Sequence, residues 1–185
     1  MESKGEIRKR VLAMRDALTN ENRIQSEIKL TQTILCHPWY YGAKALLIYM
    51  KHGSEIDTGQ IIEDAFHLQK RVYIPKIIDN RMEFIRISEG ERLIEGYKGI
   101  WEPDLKDSME VFDFSNENPK EVLMIMPGVA FDLYRNRIGY GKGFYDRYLS
   151  DKKNLQTIAI GFDCQMVSVI ESTINDIKPD EVICL

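Results

Sequence analysis

Several things are scarce in this chain of 185 residues, and each scarcity excludes a class of function. Cysteine occurs three times, at Cys36, Cys164 and Cys184, with no Cys-x-x-Cys pair and no Cys/His cluster. Neither a disulfide framework nor a zinc site is expected, and reduced thiols suit a cytoplasmic protein. No apolar run nears the ~20 residues of a membrane span, and the charged start Met1-Glu-Ser-Lys-Gly-Glu is unlike a secretory signal. Positive charge is not in excess: 25 Lys and Arg against 29 Asp and Glu leave a net charge of −4. A protein that works on nucleic acid usually carries a dominant positive field, so small molecules are the expected partners. The histidines His37, His52 and His67 fall in no Ser/His/Asp or Cys/His pattern, which argues against covalent nucleophilic catalysis. No repeat, low-complexity tract or composition break divides the chain, and we expect a single domain over residues 1–185.

What the chain does have is an alternation of helix and strand. Residues 3–17 place Ile7, Val11, Leu12 and Met14 or Leu18 at helical spacing. Thr19 starts a second helix through Ile24, Ile28, Thr31 and Leu35, ended by His37-Pro38. Residues 43–50 (Ala-Lys-Ala-Leu-Leu-Ile-Tyr-Met) read as a buried strand, and Thr58 as the cap of a helix carrying Ile61, Ile62, Ala65 and Phe66. Strands are expected over 71–75, 82–87, 122–126 and 157–162, with a short one at 182–185 and a helix over 143–149. Between residues 88 and 118 periodicity is weak, and we expect a long irregular region, ordered around Trp101. The alternation predicts an α/β sandwich with a largely parallel sheet. Ligands then bind beyond the carboxyl ends of the strands, in the loops after 43–50 and 122–126.

The segment running directly out of strand 122–126 is the densest in chemistry. It holds Arg137, Gly139, Gly141, Lys142, Gly143, Asp146 and Arg147. It matches no standard phosphate loop, because Gly143 stands where a P-loop needs Ser or Thr after the lysine. Nor is it the dinucleotide fingerprint, since Asp146 stands where a third glycine belongs. Glycines alone would suit a turn between hairpin strands. Arg137, Lys142 and Asp146 tip the reading to an anion site with a divalent cation beside it. Lys4 and Arg8, one helical turn apart, repel each other unless an anion sits between them. A solvated basic face or an RNA contact would use the same residues. Glu55, in the loop Lys51-His-Gly-Ser-Glu55-Ile-Asp57-Thr58, could accept hydrogen bonds from ligand N–H groups, or could serve only as charge near a helix start.

The run Met126-Pro-Gly-Val-Ala-Phe-Asp132, followed by Asn136-Arg-Ile-Gly-Tyr-Gly-Lys-Gly-Phe-Tyr-Asp146-Arg-Tyr-Leu149, resembles the signature of the 5-formyltetrahydrofolate cyclo-ligase family, also called methenyltetrahydrofolate synthetases. Lys4-x-x-x-Arg8, Glu55-Ile-Asp57-Thr58, Val72-Tyr-Ile-Pro75 and Asp176…Asp180-Glu181-Val182 follow the same order. The resemblance implies a three-layer α/β/α sandwich with a mixed, largely parallel sheet. It implies ATP- and Mg²⁺-dependent conversion of 5-formyltetrahydrofolate to 5,10-methenyltetrahydrofolate through an N5 iminium phosphate, releasing ADP and phosphate. ATP would be bound by Lys4 and Arg8 and by the run Arg137, Ile138, Gly139, Tyr140, Gly141, Lys142, Gly143, Phe144 and Tyr145, with Lys142 and Arg137 catalytic. Folate would meet Met50, Glu55 and Trp101, with Tyr140 to Phe144 shared by both substrates. Asp146 and Asp176 would support Mg²⁺. We expect a monomer. Sugar-phosphate isomerases and acyl-CoA transferases use related architectures without ATP, and a binding module would hold ATP without turnover, so ATP-dependent product formation separates the readings.

Overall fold

Alternation along the central strands explains the architecture. In Ala45-Leu46-Leu47-Ile48 and Val122-Leu123-Met124-Ile125-Met126 every side chain is apolar, so both faces of each strand must be covered. The computed structural model, which describes residues 2–104, 109–152 and 154–185, covers them with two cores. On one face Leu46, Ile48, Leu123 and Ile125 pack with Leu30, Ile34 and Ile61. On the other Ala45, Leu47, Val122 and Met124 pack with Phe131, Tyr148 and Leu149.

The helices are α1 (Lys4–Asp16), α2 (Asn20–Leu35), α3 (Pro38–Gly42), α4 (Gly59–His67) and α5 (Phe144–Leu149). The main strands are β1 (Ala45–Ile48), β2 (Arg71–Ile78), β3 (Arg81–Ile87), β6 (Val122–Met126), β9 (Gln156–Gly161) and β10 (Glu181–Cys184). Two small hairpins complete the set, β4 (Leu93–Glu95) with β5 (Trp101–Pro103) and β7 (Ala130–Phe131) with β8 (Arg137–Ile138). The six main strands form one sheet in the order β10-β9-β6-β1-β2-β3, parallel except for the β2–β3 hairpin. That hairpin turns at Asp79-Asn80, both with positive φ, as its two-residue turn demands. The fold is thus the expected α/β/α sandwich with a mixed, largely parallel sheet. Among the described residues no helix is long and apolar enough to cross a membrane.

Local differences from expectation have physical causes. Pro38 does not only end α2; it opens α3 at the first turn, where a missing N–H costs nothing, with the His37 ring accepting from the Trp39 amide at 3.2 Å. The Thr58 hydroxyl does not cap α4 but donates to the Tyr49 carbonyl at 2.9 Å, while Asp57 accepts from the Gly59 amide. β2 runs on through Pro75 to Ile78, because pairing with β1 ends at Tyr73 and the proline leaves no ladder bond unmade. The stretch expected to be irregular contains the β4–β5 hairpin, too short to show periodicity, and the Glu110–Phe112 segment bonded to β3. The leading part of that stretch is pinned by a buried ion pair: Lys76 Nζ donates to Glu102 Oε1 at 3.2 Å and to the Pro103 carbonyl at 2.6 Å. Gly96 makes this possible, since a Cβ there would come within 1.9 Å of the Glu102 carboxylate.

Removing one member of a buried pair strands the other charge. Glu102→Ala should lower stability by about 3 to 5 kcal/mol in urea denaturation, and the double change Lys76→Met/Glu102→Leu should recover most of it.

Candidate active site

Strand order reverses at β1: β2 continues to one side, while β6, β9 and β10 lie on the other. The loops leaving β1 and β6 part there, and such a switch point leaves a crevice. A cavity of about 330 Å³ opens at this place. The loop after β1 contributes Met50 and Glu55, α1 contributes Lys4 and Arg8, and the β4–β5 hairpin contributes Tyr97 and Ile100. The whole run from Arg137 to Asp146 lines it, as does Asp176.

The cations reach the cavity through packing of α1. Ile7 and Val11 seat this helix on Val129, Ala130, Ile138 and Ile170, which leaves Lys4 and Arg8 at the cavity edge. Arg8 Nε donates to the Gly139 carbonyl at 2.9 Å, and its guanidinium lies where a Cβ on Gly141 would come within 3.6 Å. Gly141 and Gly143 have φ of +93° and +64°, which L side chains rarely adopt, so the turn needs glycine at both. The turn joins β8 to α5, not two hairpin strands. Lys142 is exposed at its tip, its ammonium without a partner among the described residues. Arg137 is buried; it donates to the Pro127 carbonyl at 3.3 Å and to Asp146 Oδ1 at 3.2 Å, while its Nε–H has no partner.

The two carboxylates are neighbours, because Asp146 Oδ1 also accepts from the amide of Ile177, the residue after Asp176. Asp176 Oδ2 accepts from Lys4 at 2.6 Å and from the Thr173 amide and hydroxyl. Burial pushes the Asp176 carboxyl up, but these donors outweigh it and hold the group below its ordinary range. Each aspartate therefore keeps one oxygen without a partner among the described residues. No group of three or more His, Cys, Asp and Glu occurs among them. Two free carboxylate oxygens suit Mg²⁺ in its usual nucleotide mode, where phosphate oxygens and water complete the coordination.

On the opposite wall Glu55 is 4% exposed and accepts from the His52 amide at 2.9 Å. Burial pushes its carboxyl up to about 7, against the pull of the His52 N–H, Arg15 and the Tyr140 hydroxyl. Aromatic rings close the space between: Tyr140 meets His52 edge-on at 5.7 Å, and Tyr97 meets Phe144 at 5.7 Å. Trp101 is 51% exposed and lies outside the lining; Tyr97 supplies the hairpin's aromatic wall. Sequence reasoning also passed over Arg15, buried behind Tyr140, although its spacing of seven residues from Arg8 puts both on one helix face.

A sequence profile of the 5-formyltetrahydrofolate cyclo-ligase family matches residues 1–184. The chain belongs to this family. The 5-formyltetrahydrofolate cyclo-ligase of Mus musculus is 30% identical over 174 residues, covering 90% of this chain and 86% of the relative. That of Haemophilus influenzae is 32% identical, covering 88% and 87%. The NMR structure of the Aquifex aeolicus 5,10-methenyltetrahydrofolate synthetase superposes with a TM-score of 0.82 at 29% identity, covering 98% of this chain and 89% of that one. The cyclo-ligase fold extends to the Mycoplasma pneumoniae 5,10-methenyltetrahydrofolate synthetase, with a TM-score of 0.77 at 22% identity. The chain is accordingly an enzyme of the cyclo-ligase family, and the matched span includes both walls of the cavity.

Burial of Glu55 gives this enzyme a pH signature. Its carboxyl binds a proton more tightly folded than unfolded, from the ordinary 4.5 up to about 7. The native state therefore holds more protons in that window, and stability falls as pH rises through it. Glu55→Gln should flatten this slope, with little change at pH 5 and a gain on the order of 3 kcal/mol at pH 8, measured by urea denaturation at both pH values.

Proposed function

We propose that the protein converts 5-formyltetrahydrofolate and ATP to 5,10-methenyltetrahydrofolate, ADP and phosphate. The observation that carries this reading is a single cavity with a cationic glycine turn on one wall and a buried carboxylate on the other. Such a cavity suits a triphosphate at one end and a ring bearing N–H donors at the other.

Lys4, Arg8, Arg137 and Lys142 gather the triphosphate, and the glycines at 139, 141 and 143 let the turn backbone approach it. Ile138, Tyr140, Phe144 and Tyr145 flank it. The Glu55 carboxylate accepts from the N–H edge of the pterin, with Met50 and Tyr97 as apolar surface. The formyl oxygen attacks the γ-phosphorus and ADP leaves, giving an N5 iminium phosphate. N10 then attacks the iminium carbon, the five-membered ring closes, and phosphate departs with the former formyl oxygen as N10 loses its proton. Neither step forms a covalent bond to the protein, so positioning and charge stabilisation provide the catalysis. Arg137 and Lys142 face the charge that develops on the transferred phosphoryl group. Mg²⁺, when bound, neutralises phosphate charge; the free oxygens of Asp146 and Asp176 would hold it. We further propose that the enzyme works as a cytoplasmic monomer on small molecules, without nucleic acid.

Incubation with ATP, Mg²⁺ and 5-formyltetrahydrofolate should raise the near-ultraviolet absorbance of the methenyl product, and no ATP-dependent rise would sink the reading. Lys142→Ala should cut kcat by on the order of a hundredfold, as measured in the same assay. An unchanged rate would remove Lys142 from the chemistry.

A further inference from the structure

Arg15 is 2% exposed, and its guanidinium reaches three separate segments. Nε donates to the Ser54 hydroxyl at 2.9 Å, in the loop that carries Glu55. Nη2 donates to the Tyr140 hydroxyl at 2.6 Å, in the glycine turn, and Nη1 points at the Gly128 carbonyl, 3.5 Å away. Arg23 of α2 reinforces the joint, donating to the Ser54 carbonyl at 2.7 Å and to the Arg15 carbonyl at 2.8 Å. Arg15 makes no ion pair among the described residues. A buried cation with no carboxylate in contact is poor for stability, so its position needs another explanation. Its nearest anionic compensation is indirect: Asp16 through Ser54, and Glu55 beside Tyr140.

We propose that Arg15 is a positioning residue, which locks Tyr140 and the Glu55 loop into one folate-reading unit by holding both from α1. This deepens the cyclo-ligase reading and rests on it. The groups facing Glu55 are Lys51 and His52 on its own loop, Tyr49 after β1, Tyr140 on the glycine turn, Tyr145 on α5 and Arg15 on α1. Among them Arg15 is the buried cation, so it favours the carboxylate form of Glu55, which is the form able to accept from the substrate. Tyr140 relays the geometry: its oxygen takes the Arg15 N–H, which leaves its own proton for Glu55 or substrate.

The test is steady-state kinetics at saturating ATP across pH for wild type, Arg15→Lys, Arg15→Gln, Tyr140→Phe and Arg15→Lys/Tyr140→Phe. Arg15→Gln should move the acid limb of kcat/KM for 5-formyltetrahydrofolate up by about one pH unit, because the cation that favours the carboxylate is gone. Arg15→Lys should leave that limb in place yet raise the folate KM about tenfold, since the charge stays and the fork is lost. Tyr140→Phe should raise the same KM, and the double variant should be no worse than Arg15→Lys alone. Tyr140 is partly exposed, so its truncation to Phe reports on the site even if an Arg15 variant fails to fold. A folate KM unchanged in Tyr140→Phe, or an acid limb unmoved in a folded Arg15→Gln, overturns the proposal. Absence of ATP-dependent turnover in wild type would instead overturn the cyclo-ligase reading.

Discussion

Ile7 and Val11 press α1 onto Val129, Ala130, Ile138 and Ile170, and the cationic half of the cavity follows from that contact. The same face of the same helix carries Lys4, Arg8 and Arg15 toward Asp176, Gly139 and Tyr140. A helix held only by its polar residues would place these groups loosely, because exposed charge pairs contribute little. A packed apolar seam sets the register, and the polar contacts then select the rotamers. Bringing this helix over the crevice at the β1–β6 switch point converts an ordinary feature of open α/β sheets into a closed two-walled site.

Most charges of the site are paired with one another. Lys4 pairs with Asp176 and Arg137 with Asp146, while Lys142 stands free of partners among the described residues. This pairing holds cations and carboxylates in preformed positions with bonding capacity to spare: the Nε–H of Arg137 and one oxygen of each aspartate. A triphosphate with its metal ion carries both signs of charge and can meet both sets. In the proposed reaction, preorganised charge of this kind would need no rearrangement when phosphoryl transfer begins. Across the cavity the logic is reversed, since Glu55 is buried with too little compensation and its carboxyl is pushed up to about 7.

The parts of the fold legible in the sequence were those with strong local signals. Val122 to Met126 is apolar at every position, so a doubly buried strand was the reading it allowed. Lys4 and Arg8 were readable as like charges on one face, and the structure brings both to the cavity that the glycine turn lines. The link between Asp146 and Asp176, thirty positions apart, was not visible in spacing; it depends on the Ile177 amide reaching Asp146. Trp101 and Tyr97 show a subtler limit. In a three-residue strand the inward side is set by one contact, here Glu102 turning in to Lys76, and that turns Trp101 outward. Arg15 was hidden for a similar reason, because which face of α1 is buried depends on a hairpin more than a hundred residues away.

The proposed reaction makes a bond between the formyl oxygen and the γ-phosphorus, in a cavity that would hold both substrates. Oxygen-18 in the formyl group of 5-formyltetrahydrofolate, followed by mass spectrometry of the products, tests this directly. The label should leave in inorganic phosphate, with none in ADP or retained in the methenyl product. Label recovered in water while ATP is consumed would contradict it.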